Sequence, residues 1–175
     1  MISITTPFTD EIIKSLNVGD IVMLSGVIYT GRDAAHKRMI ELLETSQPLP
    51  FDPHGQAIYY TGPCPAPPEK VIGSAGPTTS MRMDAYSPRL MGAGLRVMIG
   101  KGARSEAVIE AIMKYKGLYL SAVGGTGALL AQCVEEARVV AFVDLGTEAI
   151  YRFVVKDMPL IVAIDSKGQS IYRQE

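Results

Sequence analysis

Two cysteines, two histidines and no tryptophan are all that this 175-residue chain holds of those residue types. Cys64 and Cys133 stand far apart, so neither a disulfide framework nor a close-spaced metal motif is written into the chain. An iron–sulfur cluster takes three or four thiolates, more than the chain supplies by itself. His36 and His54 are too few for a self-contained histidine-rich metal site, and no metal ligand is assigned. Charge of one sign is missing too: a formal net charge of −1 gives no field to draw the chain onto nucleic acid or an acidic membrane. Apolar runs such as Ile21 to Leu24 and Leu160 to Ile164 are far short of a bilayer span. The opening MISITTPFTDE has no basic segment and no apolar segment of a secretory signal, so the expectation is a cytoplasmic protein.

What is present reads as one globular domain over residues 1–175: 47% hydrophobic and 20% charged residues suit a chain long enough to bury its own core. Ile2 to Thr6 predicts a strand, followed by a short helix capped by Thr9 with Asp10 and Glu11 in its first turn. Asp20 to Ile28 predicts a strand. From Asp33 the spacing turns helical, with Ala35, Met39, Leu42 and Leu43 on one face. AIYY and KVIGSAG predict strands on either side of the proline-heavy TGPCPAPPEK. Arg96 to Ile99 predicts a strand. The helix after it has Ser105 as N-cap, Val108, Ile109, Ile112 and Met113 inward, and Gly117 as its stop. LYLSAV and VVAFVDLG predict strands around a helix in GGTGALLAQCVEEA. The tail from Ile150 to Tyr172 predicts two or three β segments with turns at KDMP and DSKG. The fold class is α/β: a single mixed domain with a β-rich C-terminal part.

Three segments share a design. TGRDAAH (Thr30 to His36), GSAGPTTSMRMD (Gly73 to Asp84) and GKGARS (Gly100 to Ser105) each follow a predicted strand, carry small residues and a cation, and lead towards a helix. Loops after strands in an α/β fold gather at one edge of the sheet, where ligands bind. Glycines let backbone N–H groups approach an anion, and helix N-termini add partial positive charge. Arg32, Arg82 and Lys101 add formal charge, and an arginine fork matches a carboxylate or phosphate with two hydrogen bonds. The residues therefore point to a small-anion site. As plain scaffold, each arginine would be an ion-paired surface group and Ser105 only a cap. GGTG (Gly124 to Gly127) lacks the third glycine of a dinucleotide fingerprint and reads as a strand-to-helix turn. His36 fits either a ligand contact or a satisfied histidine. Thr78 and Thr79 are hardest to explain as scaffold, because one hydroxyl suffices for a cap.

GRDAAHKR, YYTGPCPAPPEKVIGSAGPTTSMRMD, GKG and AVGGTGALL together resemble the β subunit of the class I iron–sulfur fumarate hydratase and L-tartrate dehydratase family, a module that is the C-terminal domain of its single-chain members. The resemblance runs from about Gly19 to Tyr172. It implies a swivelling β/β/α fold and a hydro-lyase acting on a C4 dicarboxylate, with fumarate to (S)-malate leading and L-tartrate dehydration as the alternative. It also implies a 4Fe–4S cluster carried by a partner α subunit on three cysteines, with activity only in that complex, and it admits pairing of β chains with one another. Carried over by position, Arg32, Arg82 and Lys101 bind substrate carboxylates and Thr78 exchanges the carbon-bound proton. Thr79 and His36 are further candidates. A non-catalytic small-anion-binding module is the alternative from a different class. Neither nucleic acid nor membrane is an expected partner.

Overall fold

The computed structural model describes residues 1–122 and 126–172. Five strands run parallel: β1 (Ile2–Thr5), β2 (Ile21–Thr30), β3 (Ala57–Tyr59), β4 (Val97–Gly100) and β5 (Leu118–Ser121). The short β3 and β4 have every residue buried and are apolar throughout, as a parallel strand covered on both faces requires. β6 (Val134–Ala141) and β7 (Ile150–Ile164) form an antiparallel ribbon. β7 pairs antiparallel with β2 along one edge and with β5 along the other, so β2, β3, β4, β5 and β7 close into a barrel. β1 and β6 flank it.

Alternation along the strands separates two cores. Leu24, Ile28, Tyr59, Ile99, Leu120, Phe153 and Val162 pack together with Ile13 and Leu16 from around α1 (Asp10–Ser15). Their sequence neighbours Ile58, Met98, Tyr119 and Ala163 face the opposite way. That outer face is covered by α2 (Asp33–Glu44), α3 (Ser87–Gly92) and α4 (Glu106–Tyr115), through Met39, Leu90, Val108 and Ile112. The Thr9 hydroxyl caps α1 by accepting from Ile12 N at 3.2 Å, and the Ser105 hydroxyl caps α4 by accepting from Val108 N at 3.4 Å.

Several expectations need correction. KVIGSAG is not a strand: two backbone hydrogen bonds tie its Gly73 and Ser74 to Cys64, and the prolines beside Cys64 have no N–H with which to extend a ladder. The helix after GGTG, α5 (Gly127–Gln132), is short, and VEEA opens β6 instead. β6 stops at Ala141, and Val143–Glu148 forms 3₁₀ turns. KDMP makes no reversal, because β7 runs through it with Asp157 alone in the left-handed region (φ 49°). DSKG does turn, with Gly168 N donating to Asp165 O at 2.9 Å. Met113 points outward and is 46% exposed. The left-handed residue that ends α4 is Lys116 (φ 54°), one before the expected Gly117. Leu42 and Leu43 are only half-buried, whereas His36 joins Ala35 and Met39 beneath α2. The GGTG segment lies partly outside the described residues.

Candidate functional site

Parallel strands end together, and the loops after β2, β3 and β4 meet at one rim of the barrel. Gly31 N donates to Tyr59 O at 3.0 Å, Tyr60 N to Ile99 O at 2.8 Å and Ala122 N to Gly100 O at 2.8 Å, so the strand ends stay in register. The glycine-rich loop is fastened to this rim along its length. The Tyr59 hydroxyl donates to Ala75 O at 2.6 Å and the Thr61 hydroxyl to Gly76 O at 2.7 Å. Thr78 N donates to Tyr60 O at 2.7 Å, and Ser80 N to Lys101 O at 2.9 Å. Thr79 and Lys101 form an isolated parallel bridge beyond the end of β4. Gly100 permits this approach, because a Cβ there would collide with the Ser80 hydroxyl.

Thr78, Thr79 and Lys101 are thereby brought side by side. Thr78 is half-buried, and its hydroxyl has no hydrogen-bond partner among the described residues; Thr79 is exposed. Ser80–Met83 then makes one 3₁₀ turn that carries Arg82. Arg82 Nη2 pairs with Asp33 Oδ2 in the first turn of α2, which ties the loop to the residue after Arg32. Arg82 is therefore ion-paired as well as half-exposed.

Arg32 occupies the N-cap position of α2 with no capping side chain, so it stands where the helix dipole is positive. Its side chain lies over Gly62, where a Cβ would sit 2.8 Å from Nη1. Its buried Nε has no hydrogen-bond partner among the described residues, the nearest carboxylate oxygen being Glu148 Oε1 at 4.0 Å. His36 lies one turn on, fully buried, with Nδ1 2.7 Å from Arg32 O. A carbonyl only accepts, so Nδ1 carries the hydrogen and Nε2, which has no partner, is the bare nitrogen. Burial pushes the imidazole down from 6.5 to about 4. His36 is thus neutral near pH 7 and bonds to the backbone of Arg32.

Sequence reading missed the layer beneath. Arg104 Nε donates to Asp84 Oδ1 at 2.7 Å, and Tyr119 contacts both Ser80 Oγ at 2.8 Å and Gly102 O at 2.7 Å. Burial pushes the Tyr59 and Tyr119 phenols up, so both remain protonated donors. The sign of Arg104 in the sequence is the second cation of GKGARS, three residues after Lys101.

The three cations and two hydroxyls form an open face: Arg32, Thr78 and Lys101 are half-buried, and Thr79 and Arg82 are exposed. A groove of about 540 Å³ lined by Leu43, Arg89, Lys114 and neighbouring residues of α3 and α4 includes none of them. Cys64 and Cys133 are free, and no group of three or more His, Cys, Asp or Glu among the described residues could hold a metal ion. A cluster therefore has no ligand set on the described part of this chain. No helix among the described residues is long and apolar enough to cross a membrane.

A family model described as fumarase C-terminus matches residues 1–175. The chain is 38% identical over 169 residues to "Fumarate hydratase class I, anaerobic" of Escherichia coli K12, covering 94% of this chain and 31% of that protein. It is 38% identical over 157 residues to "Fumarate hydratase 2" of Leishmania major, covering 89% of this chain and 28% of that one. The chain thus spans about a third of the length of these fumarate hydratases. With "Putative L(+)-tartrate dehydratase subunit beta" of Methanocaldococcus jannaschii it shares 41% identity over 172 residues, covering 95% of this chain and 88% of that subunit. The chain belongs to the fumarase C-terminus family.

Proposed function

We propose that this chain is the β subunit of a cytoplasmic hydro-lyase that reversibly hydrates a C4 dicarboxylate, most directly fumarate to (S)-malate, and that it acts only when joined to an α subunit. In this reading Arg32, Arg82 and Lys101 hold the two carboxylates, with the α2 N-terminus adding its partial charge. Thr78 Oγ exchanges a proton with the carbon next to one carboxylate: it takes the proton in dehydration and returns it in hydration. A threonine hydroxyl is a weak base unaided, so the cations beside it favour its deprotonated form. The same cations stabilise the charge that develops on the adjacent carboxylate as the carbon loses its proton. Thr79 contributes its bridge to Lys101, and His36 its bond to Arg32.

The observation that carries the reading is the unengaged hydroxyl of Thr78, pinned by its backbone beside Lys101 and one 3₁₀ turn from Arg82. A 4Fe–4S cluster belongs, in this account, to three cysteines of the α subunit, whose surface closes the open face. No step on this chain is routed through it. The tartrate reading stays beside the fumarate one because the relative named as a tartrate dehydratase subunit is matched over 88% of its length. A non-catalytic anion-binding module is the reading left if no complex shows turnover.

The test is anaerobic co-expression with a cysteine-bearing candidate α chain, followed by assays with fumarate, malate and L-tartrate. Turnover of one acid by the complex, with none by this chain alone, is the expected result. A cluster-loaded complex inert towards all three would contradict the reading.

A further inference from the structure

Beneath the open face, Arg104 is buried with its side chain 0% exposed, and every arm of its guanidinium is engaged. Nε donates to Asp84 Oδ1 at 2.7 Å; Nη2 donates to Ser87 Oγ at 2.9 Å and to the Tyr60 hydroxyl at 3.3 Å; Nη1 meets Met98 Sδ at 3.5 Å. Its Cζ lies 5.2 Å from the centre of the Tyr60 ring and 4.8 Å from that of Tyr119, within reach of cation–π attraction. The second oxygen of Asp84 accepts from Ser105 N at 2.6 Å.

These contacts add a buried side-chain link between two loops whose backbones meet at the isolated Thr79–Lys101 bridge and the Ser80 N–Lys101 O bond. Asp84 closes the loop that carries Thr78 and Arg82, while Arg104 and Ser105 close the loop that carries Lys101. Tyr119 makes the second link, reaching Ser80 on the first loop and Gly102 on the second. A phenol has one hydrogen and Gly102 O only accepts, so Ser80 donates to Tyr119. Ser87 in turn donates to Met83 O at 3.0 Å, which leaves its oxygen to accept from Arg104. Every polar group in the layer is satisfied.

Stability alone does not account for this choice of residues. A buried ion pair is often no more stabilising than an apolar set of the same volume. What a planar fork with five donors adds is a fixed direction for each partner. We propose that Arg104 is a positioning residue of the reaction: through Asp84 and Tyr119 it sets Thr78 and Arg82 at the separation from Lys101 that a dicarboxylate spans. The inference rests on the function proposed above, and its test separates the two.

Arg104→Lys keeps the charge beside Asp84 but loses the fork, so the barrel is retained while the loops loosen. In the full chain, hydrogen exchange is followed at Ser80 N and Ser105 N, whose acceptors are Lys101 O and Asp84 Oδ2. Both exchange at least about tenfold faster in Arg104→Lys, with Ile99 and Leu120 unchanged. Unchanged protection at Ser80 and Ser105, or equal acceleration everywhere, overturns the proposal. In the assembled enzyme a double-mutant cycle reads the coupling. Arg104→Lys lowers kcat by about tenfold or more alone, but by less than about twofold on top of Thr78→Ala, because it acts through that threonine. The same factor in both backgrounds means a merely structural role and overturns the proposal. Full activity of Thr78→Ala sinks the functional reading instead, and the exchange experiment alone then decides for or against Arg104.

Discussion

Two arginine–aspartate pairs flank the same loop and differ in almost everything else. Arg104 and Asp84 have side chains 0% and 9% exposed and sit in a fully satisfied layer. Arg82 and Asp33 are 49% and 33% exposed and stand at the rim. A buried pair that loses one member leaves an uncompensated charge, so it holds its geometry rigidly. A half-exposed pair is weak, and its arginine can trade one carboxylate for another at little cost. The same chemistry thus builds a frame in one place and an exchangeable, half-exposed pair a few residues away.

Breaking the frame has the largest effect. Arg104→Met strands the Asp84 carboxylate and is expected to cost about 3–5 kcal/mol of unfolding free energy, measured by urea denaturation of the chain. Next comes acid. Between pH 6.5 and about 4 the unfolded chain binds a proton at His36 that the folded chain refuses, so stability falls as pH falls through that window. The full drop is roughly 3 kcal/mol at 1.36 kcal/mol per pH unit. His36→Gln should flatten that part of the acid limb in a denaturation series, and an unchanged limb would assign it to other groups.

The open face responds in activity instead. Lys101→Ala in the assembled enzyme is expected to lower kcat/KM on the order of 100-fold, with Tm nearly unchanged, because its charge forms no ion pair among the described residues. The smallest effect belongs to Arg89→Ala, which removes an exposed pair with Glu44 (N–O 2.9 Å) that includes no residue of the Arg104 layer or of the Thr78 loop. It should change stability by less than about 1 kcal/mol and leave turnover alone.

How much of this was legible in the chain follows from the same contrast. The three glycine-and-cation loops could be read because small residues after apolar runs announce a rim, and the structure does bring Thr78, Thr79, Lys101, Arg82 and the α2 N-terminus together there. The Arg104 layer was not legible. An arginine and an aspartate twenty positions apart look like two solvated charges until the fold buries both, and periodicity carries no sign of it. The long β7 was hidden for another reason. KDMP has the composition of a turn, but β2 pairs with β7 before it, through Met158 and Pro159, and after it, and so overrides the local preference. KVIGSAG failed in the opposite direction, being apolar enough for a strand but facing prolines that offer no ladder.

The central claim is that the unengaged hydroxyl of Thr78 moves the substrate proton. Its most direct test is kcat of Thr78→Ala and Thr78→Ser in the anaerobically assembled complex, with cluster content checked by spectroscopy. The account predicts a loss of about 100-fold or more for alanine with KM little changed, and substantial recovery for serine, which keeps the hydroxyl. A loaded Thr78→Ala complex that turns over at the wild-type rate would contradict it.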